Sequence, residues 1–131
     1  MSTMKKHERL ASQKKISYLA KEGNTFFSYP FRVLWCVDRN EENSPFRIQA
    51  AFSVPKKKFK KAVKRNVIRR RTKEAFRLNK EPFKQEMKNF PLTLYLLIIF
   101  APKKELDYST IEEGMINSFE MLKKHIVRKT E

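Results

Sequence analysis

KKKFKKAVKRNVIRRRTKEAFR, residues Lys56 to Arg77, decides how the rest of the chain is read. It holds twelve Lys and Arg residues against one acid, Glu74, and so carries +11 of the chain's net +16. The flanks are close to neutral: +4 over residues 1–24, 0 over 25–55 and +1 over 78–131. Charge placed this unevenly reads as one polyanion-binding surface on an ordinary domain.

Lys56 to Lys61 reads as a basic loop after Pro55, leading into a helix over 62–79. On an ideal helix at about 100° per residue, Val63, Val67, Ile68, Ala75 and Leu78 share an arc of about 140°. This arc is expected to face the core. Arg65, Arg69, Lys73 and Arg77 follow at i+4 spacing along the opposite side, with Asn66 and Arg70 beside them. Phe76 falls near the basic side, and Lys64 and Arg71 near the apolar one. A solvated face with no partner is the bland alternative, but like charges at i+4 cost helix stability. Phosphates relieve that repulsion and release counterions. Arg outnumbers Lys within the helix, which suits planar, bidentate phosphate contacts. Glu74 is expected to pair with Arg70, Arg71 or a neighbour of Lys73.

Upstream of the basic stretch, Phe46 to Val54 alternates apolar and polar residues as a half-buried strand does. Phe31 to Val37 (FRVLWCV) is β-rich, and the polar loop 38–45 makes the two strands an expected antiparallel hairpin. Asn24 to Pro30 reads as an irregular connection. Ser12 and Gly23 bracket a short helix over 13–21. Residues 1–8 are expected to be flexible.

Downstream, Pro82 suits the start of a separate short helix over 83–88. Leu92 to Ala101 is a continuous apolar run and reads as a strand buried on both faces. A last helix begins at Ser109 or Thr110, through a capping box with Glu112 or Glu113. The order is helix, strand, strand, basic helix, strand, helix. That is an α+β fold, a small mixed sheet with helices on one side, forming a single domain over 1–131 whose charge alone does not decide between DNA and RNA.

The chain is 40% hydrophobic with eleven Phe, enough for a core and unlike a disordered basic tail. Its single cysteine, Cys36, excludes an internal disulfide. No secretory signal is visible, and Leu92 to Ala101 is about half the length of a membrane-spanning helix. A cytoplasmic protein is therefore expected. His7 and His125 lie near opposite ends without motif context, and the acids lack the spacing of a two-metal nuclease. No catalytic residue and no metal ligand is assigned. Aromatics on the strands suit stacking on single-stranded bases, Trp35 and Tyr29 being candidates, although core packing accounts for most of the Phe residues.

With these residues in hand, SVPKKKFKKAVKRNVIRRRTKEAFR (Ser53 to Arg77) resembles the signature of the bacterial ribonuclease P protein component. Ala62, Val63, Arg65, Asn66, Arg70, Glu74, Phe76 and Arg77 fit its pattern. RLASQKKISYLAKEG (9–23) is similar to the family's first helix, and VLW (33–35) to its first strand. The resemblance implies a left-handed β-α-β crossover through the basic helix. It implies the protein subunit of a ribonucleoprotein that removes the 5′ leader from precursor tRNA. The RNA subunit would hold magnesium and perform the hydrolysis, with none bound by this chain alone. The RNA contacts it implies are Lys56, Lys57, Lys58, Lys61, Arg65, Asn66, Arg69, Arg70, Lys73 and Arg77. It implies a leader-binding cleft at Trp35, with Ile16, Tyr18 and Phe26. Neither a membrane nor DNA is a partner under this reading. The chain departs from the family pattern at Val67, usually Arg, and at Lys60, usually Gly. Ile16 and Ala20 stand where aromatics are usual. A ribosomal or RNA-chaperone-like binding protein shares the same charge and fold; a metal-dependent nuclease acting alone is a third reading.

Overall fold

The computed structural model describes residues 6–130. Among these, three α-helices and four strands follow the order α1 (Gln13–Glu22), β1 (Asn24–Ser28), β2 (Phe31–Arg39), β3 (Arg47–Ser53), α2 (Ala62–Met87), β4 (Leu92–Phe100) and α3 (Tyr108–Thr130). The strands form one mixed sheet in the order β1-β2-β4-β3. β4 lies antiparallel to β2, with Trp35 opposite Leu96, and parallel to β3, with Ala50 opposite Leu96. The fold is thus α+β, with α2 carrying the crossover between the parallel strands β3 and β4.

β4 is an inner strand, between β2 and β3. Leu92, Leu94, Leu96, Ile98 and Phe100 join the main core, with Leu97 buried on the other face. Its unbroken apolar run follows from cover on both faces. α2 and α3 pack on one face through Phe76, Phe83 and Phe119, whose ring centroids lie 5.0 and 5.7 Å from one another in the Phe83–Phe119 and Phe76–Phe119 pairs. α1 covers the other face, where Leu19 meets Leu34 and Leu97. The helices are therefore on both sides of the sheet, because alternate residues of β2 and β4 are apolar on both.

Several expectations are corrected. β2 and β3 do not form a hairpin; β4 lies between them, and the hairpin partner of β2 is β1, with Phe26 opposite Val33. Asn24–Ser28 is that edge strand, not an irregular connection. The helix of 62–79 and the short helix of 83–88 are one helix, with Pro82 exposed inside it. The Pro82 nitrogen has no proton to donate along the helix, yet Phe83 and Met87 beyond it are buried and carry the helix on.

α1 begins at Ser12, whose Oγ accepts from the Lys15 amide at 3.2 Å. It stops at Gly23, where an added Cβ would stand 2.6 Å from the Leu19 carbonyl oxygen. α3 is capped by Asp107, whose Oδ1 accepts from the Thr110 amide at 2.9 Å, and not by a Ser109 or Thr110 capping box. Glu112 is engaged elsewhere, accepting from Tyr108 Oη and Asn79 Nδ2 at 3.0 Å each. Burial, and then that bond to Glu112, push the Tyr108 phenol up to about 12. Of the expected flexible start, residues 1–5 lie outside the described residues. Lys6–Glu8 form a 3-10 turn in which Glu8 is buried.

Candidate nucleic-acid interface

The basic loop is anchored at its centre. Phe59 is buried, packing on Phe100 at 5.9 Å between centroids. Lys58 donates to the Ala101 carbonyl, and Arg65 donates to the carbonyls of Phe59 and Lys60 at 2.8 and 2.9 Å. Arg65 therefore holds the loop against the first turn of α2. Lys56, Lys57 and Lys61 remain exposed around this anchor.

α2 meets the core through Ile68, Thr72, Ala75, Phe76, Phe83 and Met87. The expected core arc is corrected by this set. Val63 is 74% and Leu78 47% exposed, whereas Phe76, read as lying near the basic side, is fully buried. Phe76 packs on Phe52 of β3 at 5.4 Å and turns the helix about its axis relative to the expected arc. The rotation aims a different side of α2 at solvent beside the β3 edge.

Along that side runs a groove of about 640 Å³. Asn66, Arg69, Arg70, Lys73 and Arg77 line it from α2, Ala50, Ala51 and Phe52 lie on its β3 side, and Arg9 and Leu10 stand across from the helix. Five of the ten expected RNA contacts are thereby brought together. Arg69 donates to Asn66 Oδ1 at 3.0 Å, which fixes the amide within the groove. Glu74 is the only acid among the lining residues, and it pairs with Arg77, at 3.1 Å from Nε, not with Arg70 or Arg71. That bond holds the Glu74 carboxyl below the usual carboxylate range. Burial, and next the positive charges of Arg9 and Arg69, push the Lys73 ammonium below its usual value. Five cations against one ion-paired acid leave the groove lining net positive.

Lys58 and Lys61 belong to a second concavity, of about 410 Å³, which shares no lining residue with the groove. Lys60, Lys64, Lys103 and Lys104 share it. Arg71, which bonds the Leu106 carbonyl at 2.8 Å and Glu105 at 3.2 Å, fixes the chain just after Lys103 and Lys104. Lys103 and Lys104 escaped the sequence reading because they lie over forty positions from the loop they adjoin. Arg9 escaped it for the same reason; only tertiary structure brings it to α2.

The four expected cleft residues are not brought together. Trp35 is 3% exposed beneath α3, 6.1 Å from His125, and Phe26 stacks on the same His125 at 5.4 Å. Ile16 and Tyr18 are on α1, across the sheet. Ile16 packs on the Leu19–Leu34 cluster, and Tyr18 is half-exposed with Lys15 Nζ 5.7 Å from its ring centre. The pattern FRVLWCV carries the reason: Val33 and Trp35 point to one face, and Leu34 and Cys36 to the other. Among the described residues, no group of three or more His, Cys, Asp or Glu stands where it could hold a metal ion. No helix among them is long and apolar enough to cross a membrane.

A family model for Ribonuclease P matches residues 4–123. The ribonuclease P protein components of two Porphyromonas gingivalis strains are each 30% identical over 115 residues, covering 88% of this chain and 82% of theirs. The Staphylococcus aureus RNase P protein has the same fold, with a TM-score of 0.64, 23% identity and cover of 90% of this chain and 97% of that one. The Thermotoga maritima RNase P protein superposes with a TM-score of 0.61 at 23% identity, over 87% of this chain and 96% of that one. With the match running over nearly the whole length, and curated relatives at this identity, the chain belongs to the ribonuclease P protein family.

Proposed function

We propose that this chain is the protein subunit of ribonuclease P and assists removal of the 5′ leader from precursor tRNA in the cytoplasm. The observation that carries this reading is the groove beside α2, where Arg69, Arg70, Lys73 and Arg77 converge with Asn66 on one wall. Guanidinium groups held in this way suit a phosphodiester backbone, and Asn66 adds an amide for a sugar or base edge. The partner is the catalytic RNA subunit, with precursor tRNA as substrate. Magnesium belongs to that RNA in this reading, and this chain contributes binding and orientation. The leader then runs along the α1 side of the sheet, supported by the half-exposed Tyr18 ring with Lys15 beside it.

Reconstitution tests the reading. The purified chain alone should leave precursor tRNA intact, and adding it to the cognate RNA subunit should restore 5′ cleavage at low magnesium. Absence of that stimulation would sink the proposal. Selective recovery of ribosomal RNA from cells would favour an RNA-chaperone role instead.

A further inference from the structure

Glu8 and Lys80 are each about 1% exposed, and their side chains form an ion pair inside the protein. Lys84 completes the cluster, its Nζ 2.9 Å from the second Glu8 oxygen. Taking a carboxylate and an ammonium out of water is costly, and replacing such pairs by apolar residues is often neutral or stabilising. Net stability is therefore a weak reason for the cluster, while its geometry offers another. Glu8 lies in the segment before α1, and Lys80 and Lys84 lie on α2 beyond the groove. One residue after Glu8, the chain joins the free edge of β3. Arg9 bridges to Ala50 in parallel fashion, and the Leu10 amide donates to the Ala50 carbonyl at 2.9 Å. Leu10 itself is buried.

We propose that the Glu8–Lys80–Lys84 cluster is a latch that seats Arg9 as the second wall of the α2 groove, so that an RNA phosphodiester strand is gripped from both sides. Arg9 is exposed, lines the groove opposite Arg69 and Lys73, and has its charge close enough to be felt at Lys73. Beside the latch, the short edge pairing with Ala50 and the buried Leu10 side chain also hold the segment. Through the latch, two cations of α2 fix the segment at the backbone position next to Arg9. Glu8 is a positioning residue in this scheme and Arg9 the contact.

The inference rests on the RNA-binding reading of α2, and its test separates the two. Affinity of the full chain for the cognate ribonuclease P RNA transcript is measured as a function of salt. Arg9→Gln should weaken binding by roughly tenfold and flatten the logarithmic salt slope by about 0.7–0.9, the value of one phosphate contact. Glu8→Gln should lose about as much, and the double variant should be no weaker than Arg9→Gln alone, because the two act through one contact. In Glu8→Gln the Leu10 amide should exchange rapidly while β4 amides stay protected. Additive losses, or a Glu8→Gln protein that binds as wild type, would overturn the latch. Should Glu8→Gln fail to fold, Arg9→Gln still decides: unchanged affinity and slope remove Arg9 from the groove. Arg69→Gln is the control. If it too binds as wild type, the reading of α2 fails; if it alone is weakened, only the latch does.

Discussion

Replacing Trp35 by Ala would open a cavity under α3, where the indole now meets His125 at 6.1 Å and lies 5.6 Å from Lys129 Nζ. Loss of a buried Trp costs about 3–5 kcal/mol, set by how far the surroundings collapse. We expect that loss in urea unfolding, while the protein that remains folded binds precursor tRNA with unchanged affinity. A weaker complex at unchanged stability would instead return Trp35 to the leader contact. The residue type alone suits either role, since an aromatic on a strand serves a core and a stacking platform equally. Burial decides, and burial depends on α3, which lies seventy or more residues away along the chain.

Among the elements, α3 is seated on the β1–β2 hairpin at Gly114. A Cβ there would press on Pro30 Cδ and on the backbone oxygen of Tyr29, well inside van der Waals contact. Ser28 and Ser118 both donate to the Gly114 carbonyl, at 3.2 and 2.8 Å. Gly114→Ala gains about 1 kcal/mol in helix propensity. It forces a hydrogen-bonded backbone apart, and overpacking of this kind costs typically about 1–3 kcal/mol. Because backbone cannot rotate away as a side chain can, we expect net destabilisation in urea unfolding; a more stable variant would contradict the packing described. Elements of this kind are legible in the sequence where the signal is local. Ser12 and Gly23 bound α1, the Leu92–Ala101 run identifies the inner strand β4, and the charge of 56–77 finds α2. Pairing is not legible. Residues 31–37 and 46–54 are neighbours in sequence but not in the sheet, because β4, arriving after α2, occupies the place between them. The rotation of α2 is hidden because Val63, Val67 and Leu78 look like core residues, whereas Phe76 is the one that β3 and α3 enclose. Half of the expected RNA contacts share the groove; the others are divided between the anchored loop and its lysine concavity.

Across the whole molecule, the basic stretch 56–77 serves two separate sites: four of its cations line the groove and four others the lysine concavity. The groove beside β3 is rich in arginine, and the concavity between the basic loop and residues 103–104 is formed by lysines from both segments. Arginine forks hold a phosphate in fixed geometry, whereas lysine offers a mobile point charge. An RNA that meets both sites should release counterions at both, and each should add to the salt dependence of affinity. Lys103→Gln with Lys104→Gln should then flatten the logarithmic slope for the cognate RNA subunit by about 0.7–0.9 for each phosphate left without its lysine. Stability should stay within about 0.5 kcal/mol, since both residues are exposed. Lys124→Gln on α3, exposed and outside both basic sites, serves as the control for net charge. If that single change lowers the slope as much per charge as the pair does, the RNA responds to the total charge of the molecule and the lysine concavity is no separate contact. If the pair alone lowers it, the RNA contacts both basic sites, and the loop that Phe59, Lys58 and Arg65 hold in place carries lysines of the second.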